Sequence, residues 1–542
     1  MTTRLLAVLC LAASASAAGK HGRGKPSPVA CDLCVLVAAE AAHLASNTSS
    51  AAAAIAALDR DCGKLGNGTL SKVCEMVVQL VIADLIPAVE KELSGLGWDS
   101  HATCAAIGQC EVPCCQTKTE PEQVHLALSA SSSEMVVQWA TGAATATSTV
   151  QWGLGPSSLN RTASGNATSD ADFPELSEAL FGWRGTLHRA TMTGLLPGTR
   201  YYYRVGDEAG GYSAARSFST LREAAGATVP LRIAFVADMG AGGKSDATVE
   251  SLAKLAASTG PDRIDLLVHS GDIGYADGNY RSWDVFMRKM EPIAAAVPYM
   301  VSPGNHEIYF NFSAYRHRFV MPLDPTAQNM FYSLDLGRHV HMLAMNTEAA
   351  LDFAYIAPEQ ARWIEADLAR HAARPAAERP EWLIAAGHRP FYCSNTGGQD
   401  VKFGPARLRS QAEALLAPTA AGSVHVDLVH TGHTHDYERS FPVRDGVPTA
   451  NNYSAPTAPV YVVNGAAGNR EANSHVPGGQ PWEPPMNPAG GEQPRFSAVS
   501  FGVVTLVRDP TGATSTLLWE QFDSANGTRL DHFQITKPAP RS

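Results

Sequence analysis

The sequence predicts a multidomain chain in three parts: an all-α module cross-linked by disulfides, a β-sandwich, and an α/β layered domain. Three observations carry this. Eight of the ten cysteines crowd between Cys31 and Cys115. From about residue 121 to 220 the chain reads as short alternating strands broken by Gly, Pro, Asn and Ser clusters. Beyond residue 230, apolar runs of strand length end in acidic or imidazole side chains and alternate with helical stretches. A length of 542 residues exceeds what one core usually fills, and 45% hydrophobic against 17% charged residues excludes a disordered chain. The net charge of −10, with no basic tract, excludes nucleic acid as a partner, since phosphate-backbone binding needs clustered Lys and Arg.

The N-terminus reads as a leader. Arg4 precedes the apolar run LLAVLCLAA (5–13), and small residues with an A-x-A pattern at Ala15 and Ala17 follow, so residues 1–18 are assigned as a secretory signal. No run of 18 apolar residues occurs anywhere. Sequons at Asn47, Asn67, Asn160, Asn166, Asn311, Asn452 and Asn526 agree with export and glycosylation. The expected location is extracellular, or an acidic lysosome- or vacuole-like compartment.

Cys10 leaves with the leader, and six cysteines then form a near-symmetric pattern: Cys31-x2-Cys34, Cys62 and Cys74, Cys104-x5-Cys110. The stretches between them, such as EMVVQLVIADLIPAVEKEL, repeat at helical spacing. Residues 27–115 resemble a saposin B-type domain, a helical bundle that opens like a leaf and contacts lipid. Spacing leaves many pairings open; the resemblance implies Cys31–Cys110, Cys34–Cys104 and Cys62–Cys74. A zinc cluster is the rival reading, but no histidine stands at ligand spacing. Cys114, Cys115 and Cys393 are left without an assigned partner. Nine acidic and four basic residues between Cys31 and Cys110 make this module acidic, so a lipid or membrane surface becomes a partner as carboxylates protonate.

Residues 120–222 hold the runs MVVQWAT, STVQWG, HRATMTGL, TRYYYRVG and AARSFST, with LLPGT as a turn. They predict a small β-sandwich similar to a fibronectin III-type arrangement. No titratable cluster lies in it, so it is expected to be a scaffold beside the active domain.

The chemistry is expected in residues 230–540. LRIAFVAD (231–238), LLVHSGD (266–272), YMVSPGNHE (299–307), EWLIAAGH (381–388) and VDLVHTGHTH (426–435) share one plan, a buried strand whose last polar residues emerge at its carboxyl end. Ligands of layered α/β domains collect at such ends. The emergent residues are Asp238, Asp272, Tyr275, Asn305, His306, His388, His433 and His435. Hard oxygen donors mixed with imidazoles describe a binuclear transition-metal site.

DMG, GDIGY, GNHE, AGH and GHTH resemble the five blocks of the purple acid phosphatases, within the calcineurin-like metallophosphoesterases, and NGAAGNRE and LLWEQFD extend the resemblance. It implies an acid phosphatase that hydrolyses phosphate monoesters with a metal-bound hydroxide. Asp238, Tyr275 and His435 would hold Fe(III). Asn305, His388 and His433 would hold a divalent metal (Zn, Fe or Mn), and Asp272 would bridge. The rival is a sphingomyelinase-like phosphodiesterase acting on lipid, a related family that also joins a saposin domain to this fold. Tyr275 separates the two: the sphingomyelinases lack it, and their first block reads D-x-H where this chain has Asp238-Met239-Gly240.

His306 and Asn305 are the expected substrate-binding residues, with His306 protonating the leaving alkoxide. Glu307 is expected to orient an imidazole. Plant-type relatives place a His pair shortly after the fourth block; here HRPFYCSNTGG follows, leaving only Tyr392 or Asn395 as candidates for a second phosphate contact. His425 and His430 read as structural. GAGGKS (240–245) echoes a nucleotide phosphate loop, but Asp238 stands where the motif's first glycine belongs.

Overall fold

The computed structural model describes residues 112–113, 115–169, 183–221, 230–322, 328–349, 353–395, 399–420, 423–471, 478–487, 492–509 and 513–539. The predicted signal segment and nearly all of the predicted helical module lie outside the described residues. The end of that region is extended rather than helical: Val112–Pro113 pairs in parallel with Trp183–Arg184. Cys115 is disulfide-bonded, and Cys393 is a free thiol. The chain divides into two compact units, one of residues 1–116, 168–186 and 278–282, the other of the remainder. The layered sheets and, apart from residues 168–169 and 186, the sandwich belong to the second unit.

Two sheets build its layered α/β part. Strands β1 (Leu231–Val236), β2 (Leu266–Ser270) and β3 (Tyr299–Ser302) run parallel. Strands β4 (Tyr332–Leu336), β5 (Val340–Ala344), β6 (Trp382–Ala386), β7 (Leu428–Thr431), β8 (Tyr437–Arg439), β9 (Val460–Asn464) and β10 (Arg495–Phe496) form a seven-stranded sheet in the order β4-β5-β6-β7-β9-β8-β10. Strands β11 (Ser500–Arg508), β12 (Thr514–Asp523) and β13 (Arg529–Pro538) extend the first sheet to six, in the order β3-β2-β1-β11-β12-β13.

The apolar runs are continuous because both faces of these strands are buried. Met342, Ile384, Leu428 and Val462 join the core shared with the six-stranded sheet. Their neighbours Leu343, Leu383, Val429 and Tyr461 join a second core with Ile364 and Leu368 of helix α1 (Pro358–Ala373). Burying each such side chain fully contributes about 1.5–3 kcal/mol.

The sandwich consists of two antiparallel sheets. One contains Glu122–Leu128, Met135–Thr141, Thr186–Met192 and Asn166–Ser169; the other contains Arg200–Asp207 paired with Thr149–Gly153, Gly211–Tyr212 and Arg216–Ser219. Alternation predicts a solvated face, yet all seven residues of Met135–Thr141 are buried. The reason is the layered α/β part alongside: the Gln138 amide meets His125, whose ring reaches the Arg318 carbonyl at 2.9 Å. Gln123 bonds Asp284 and Arg318, and the Tyr203 hydroxyl donates to the Ala295 carbonyl at 2.8 Å. Asn160, Asn166, Asn311, Asn452 and Asn526 are all exposed.

Candidate metal centre

The strand ends converge. Asp238 follows β1, Asp272 and Tyr275 follow β2, and Asn305 and His306 follow β3 in a short 3-10 turn (Asn305–Glu307). His388 follows β6, while His433 and His435 follow β7. Asp238, Asp272, Tyr275 and His433 all adopt left-handed backbone, with φ of 58°, 50°, 49° and 70°. Such conformations cost about 1–3 kcal/mol each and cluster at functional sites. Two motif glycines allow the close approach. A Cβ on Gly304 would lie 2.2 Å from Asp272 Oδ1, and one on Gly432 2.3 Å from Asp238 Oδ2.

Two donor groups result. In the first, the Tyr275 hydroxyl donates to Asp238 Oδ1 at 3.0 Å and lies 2.9 Å from His435 Nε2. In the second, Asn305 Oδ1 lies 3.1 Å from His388 Nε2 and 3.0 Å from His433 Nδ1. Asp272 Oδ2 stands 3.1 Å from His388 Nε2. Asp272, His388 and His433 offer ligand atoms within 4.8 Å of one another. His388 Nδ1 donates to the Ser270 carbonyl at 3.0 Å, which turns Nε2 toward the cluster.

The buried carboxylates of the cluster favour positive charge beside them. Burial pushes the Asp272 carboxyl up, but His388 and His306 outweigh it and hold it well below the usual range. Burial depresses His388, yet Asp272 and Asp238 raise it to about 10. Burial, reinforced by Asp238 and Asp272, keeps the Tyr275 phenol protonated far above its ordinary value, so only a strongly charged neighbouring cation would draw out a phenolate. Buried carboxylates, a phenol, an amide oxygen and imidazoles at these separations make a donor set that fits transition-metal ions.

His306 faces the cluster. Its Nδ1 donates to Asp277 Oδ1 at 2.5 Å, its Nε2 lies 3.8 Å from Asp272 Oδ2, and its ring centroid lies 4.1 Å from that of Tyr275. Burial lowers its pKa, but Asp272, Asp277 and Glu471 raise it to about 10.

Some expectations are corrected. Glu307 accepts backbone N–H groups of Asp272, Ile273 and Gly304 at 2.8–3.0 Å, so it holds two loops rather than an imidazole. Tyr392 is buried, its hydroxyl engaged with Glu413 and the Gly446 amide, and Asn395 lies against Asp436. His430 meets the structural expectation, buried between Ser270 and Asn464. Sequence reasoning missed Asp277, Arg389, Arg470 and Glu471. Arg389 is buried, pairs with Glu348 at 2.7 Å and reaches His433 Nε2 at 3.2 Å. Glu471 approaches His306 and His435 at 3.6 and 3.8 Å.

Fold and site define a calcineurin-like metallophosphoesterase, and residues 231–437 match the calcineurin-like phosphoesterase family model. Residues 121–220 match the purple acid phosphatase N-terminal domain, and residues 458–532 the iron/zinc purple acid phosphatase-like C-terminal domain. The chain is 36% identical over 362 residues to human acid phosphatase type 7, covering 65% of this chain and 78% of that protein. It is 30% identical over 366 residues to Arabidopsis thaliana purple acid phosphatase 21, covering 65% and 73%. The solved purple acid phosphatase PPD1 of yellow lupin shares the fold, with a TM-score of 0.62 at 23% identity over 77% of this chain and 74% of that one. The chain belongs to the purple acid phosphatase family.

Proposed function

We propose that this protein is an acid phosphatase that hydrolyses phosphate monoesters at a dinuclear metal centre. The observation that carries this is the pair of donor groups at the strand ends, one containing the Tyr275 phenol and the other closed by Asp272. Asp238, Tyr275 and His435 would hold Fe(III); Asn305, His388 and His433 would hold Zn, Fe or Mn as the divalent ion; Asp272 would bridge. Such a pair supplies Lewis acidity toward water and the phosphoryl oxygens.

The chain's own part follows from geometry. His306, anchored through Nδ1 on Asp277, presents Nε2–H to a phosphoryl oxygen and delivers that proton to the alkoxide as the P–O bond breaks. Asp277 stabilises the cationic ring beforehand and keeps it from rotating. The residues that close the site's backbone, Glu307 above all, hold Asp272 and Gly304 in register.

The finer readings belong to the same proposal. Residues 1–18 act as a signal, residues 27–115 as a saposin B-like lipid-contacting module, 120–222 as a scaffold and 230–540 as the catalytic domain. The exposed sequon asparagines suit glycosylation in a secreted or acidic-compartment protein. Among the described residues no helix is long and apolar enough to cross a membrane. Flotation of the full-length protein with anionic liposomes at pH 4.5 but not pH 7 is the expected lipid result; absence at both removes that role.

The deciding experiment compares turnover of a chromogenic phosphomonoester and its diester from pH 4 to 8, with metal content measured in the same preparation. A strong monoester preference in acid with two metals per chain is expected. A diester preference would refute the phosphatase reading in favour of a sphingomyelinase-like phosphodiesterase.

A further inference from the structure

We propose that Arg470 is a positioning residue for His306, acting through Asp277 and the Tyr275 loop; the inference rests on the phosphatase reading above. The Arg470 guanidinium donates from Nη1 to the Tyr275 carbonyl at 2.7 Å and from Nη2 to Asp277 Oδ2. The other oxygen of that carboxylate, Oδ1, receives His306 Nδ1–H at 2.5 Å. One rigid fork therefore holds both the backbone behind a metal ligand and the carboxylate that aims the phosphate-facing imidazole.

The loop needs holding. Tyr275 and Asp277 both sit in left-handed backbone, with φ of 49° and 48°, on either side of buried Ala276. Non-glycine residues keep such conformations only where surroundings over-determine them, and Arg470 grips both. The guanidinium carbon also lies 5.7 Å from the Tyr275 ring centroid, while the His306 ring lies against that ring, tilted by 32°, with centroids 4.1 Å apart. Arg470 is itself pinned in place. The preceding Asn469 donates its backbone N–H to the Asp238 carbonyl at 3.1 Å, and Lys244 Nζ donates to the Arg470 carbonyl at 3.1 Å. Lysine could substitute only in part, since a single ammonium lacks the planar fork that spans a carbonyl and a carboxylate at once.

The test uses the full-length protein and three readouts. In Arg470→Met, kcat per metal-loaded chain is expected to fall by about 10- to 100-fold and inorganic phosphate to bind more weakly. Arg470→Lys should recover part of the loss, because it can still pair with Asp277. In a His306→Ala background the Arg470→Met change should cost nothing further, as expected for residues acting as a unit. The third readout is independent of turnover: the hydrogen-bonded His306 Nδ1–H resonance of histidine-labelled protein, present in the wild type, is expected to be lost in Arg470→Met. Losses that multiply in the His306→Ala background, or an unchanged resonance in Arg470→Met, would overturn the inference. If Arg470→Met fails to fold, Arg470→Lys decides: a wild-type resonance, phosphate affinity and kcat overturn the inference, and a partial loss upholds it. Failure of wild-type protein to hydrolyse monoesters would refute the phosphatase reading, while the resonance still decides the role of Arg470.

Discussion

Replacing His188 by glutamine should flatten the acid side of the stability profile. His188 is buried in the sandwich, stacked on Trp139 with ring centroids 5.1 Å apart and planes 8° from parallel. Thr141 Oγ1 donates to the Ala143 carbonyl, so it accepts from His188 Nε2–H at 2.8 Å; Ser148 Oγ then donates to Nδ1 at 2.9 Å. The pocket is thus built for the neutral ring. Burial lowers its pKa from 6.5 to about 4, against a smaller opposing pull from Asp207. The unfolded chain takes up a proton below pH 6.5 that the folded chain refuses until about pH 4. The neutral ring's contribution is therefore complete above pH 6.5 and is lost as pH falls toward 4. At 1.36 kcal/mol per unit, the loss from pH 7.5 to pH 5 is about 2 kcal/mol. Urea unfolding of wild type and His188→Gln across pH 4.5–7.5 measures it. The wild type should lose about 2 kcal/mol more than the variant between pH 7.5 and pH 5. Parallel profiles would refute the assignment of a neutral, proton-refusing ring.

Tyr275→Phe removes the phenol from the first donor group. It should lower retention of one metal by more than the roughly 10- to 100-fold that outer-shell changes cost, read by elemental analysis after dialysis. Gly304→Ala drives a methyl onto Asp272 and should destabilise by about 1–3 kcal/mol while emptying the bridge position, seen as joint loss of stability and metal. Ile384→Ala, far from the donors in the shared core, should cost about 2–5 kcal/mol in unfolding free energy yet leave kcat per folded molecule intact.

The layered domain was legible because strand-length apolar runs buried on both faces leave an unmistakable pattern, and because each run ended in a donor. Asp238, Asp272, Asn305, His388 and His433 announce themselves by that position alone. The residues that aim them did not. Arg470 lies nearly two hundred residues beyond Tyr275, and only the approach of the β9 end to the β1 end brings its guanidinium to Asp277. Glu307 misled for a related reason: beside a histidine it reads as an imidazole partner, whereas the tight turn at Gly304 leaves three backbone N–H groups closer. Met135–Thr141 is buried along its whole length by a neighbour that local alternation cannot report.

Neither donor group belongs to one sheet. Asp238 and Tyr275 hang from the six-stranded sheet and His435 from the seven-stranded one; Asn305 hangs from the first, His388 and His433 from the second. An ion in either place would therefore be a rivet through two layers that already meet by apolar contact and by hydrogen bonds such as Ser270–His430. By mass action a cation at a thousand times its dissociation constant would add about 4 kcal/mol to the folded state. Melting temperature then becomes a gauge of metal occupancy. A molecule starved of metal during its synthesis would differ from the finished enzyme in how firmly its layers are fastened as much as in what it can hydrolyse.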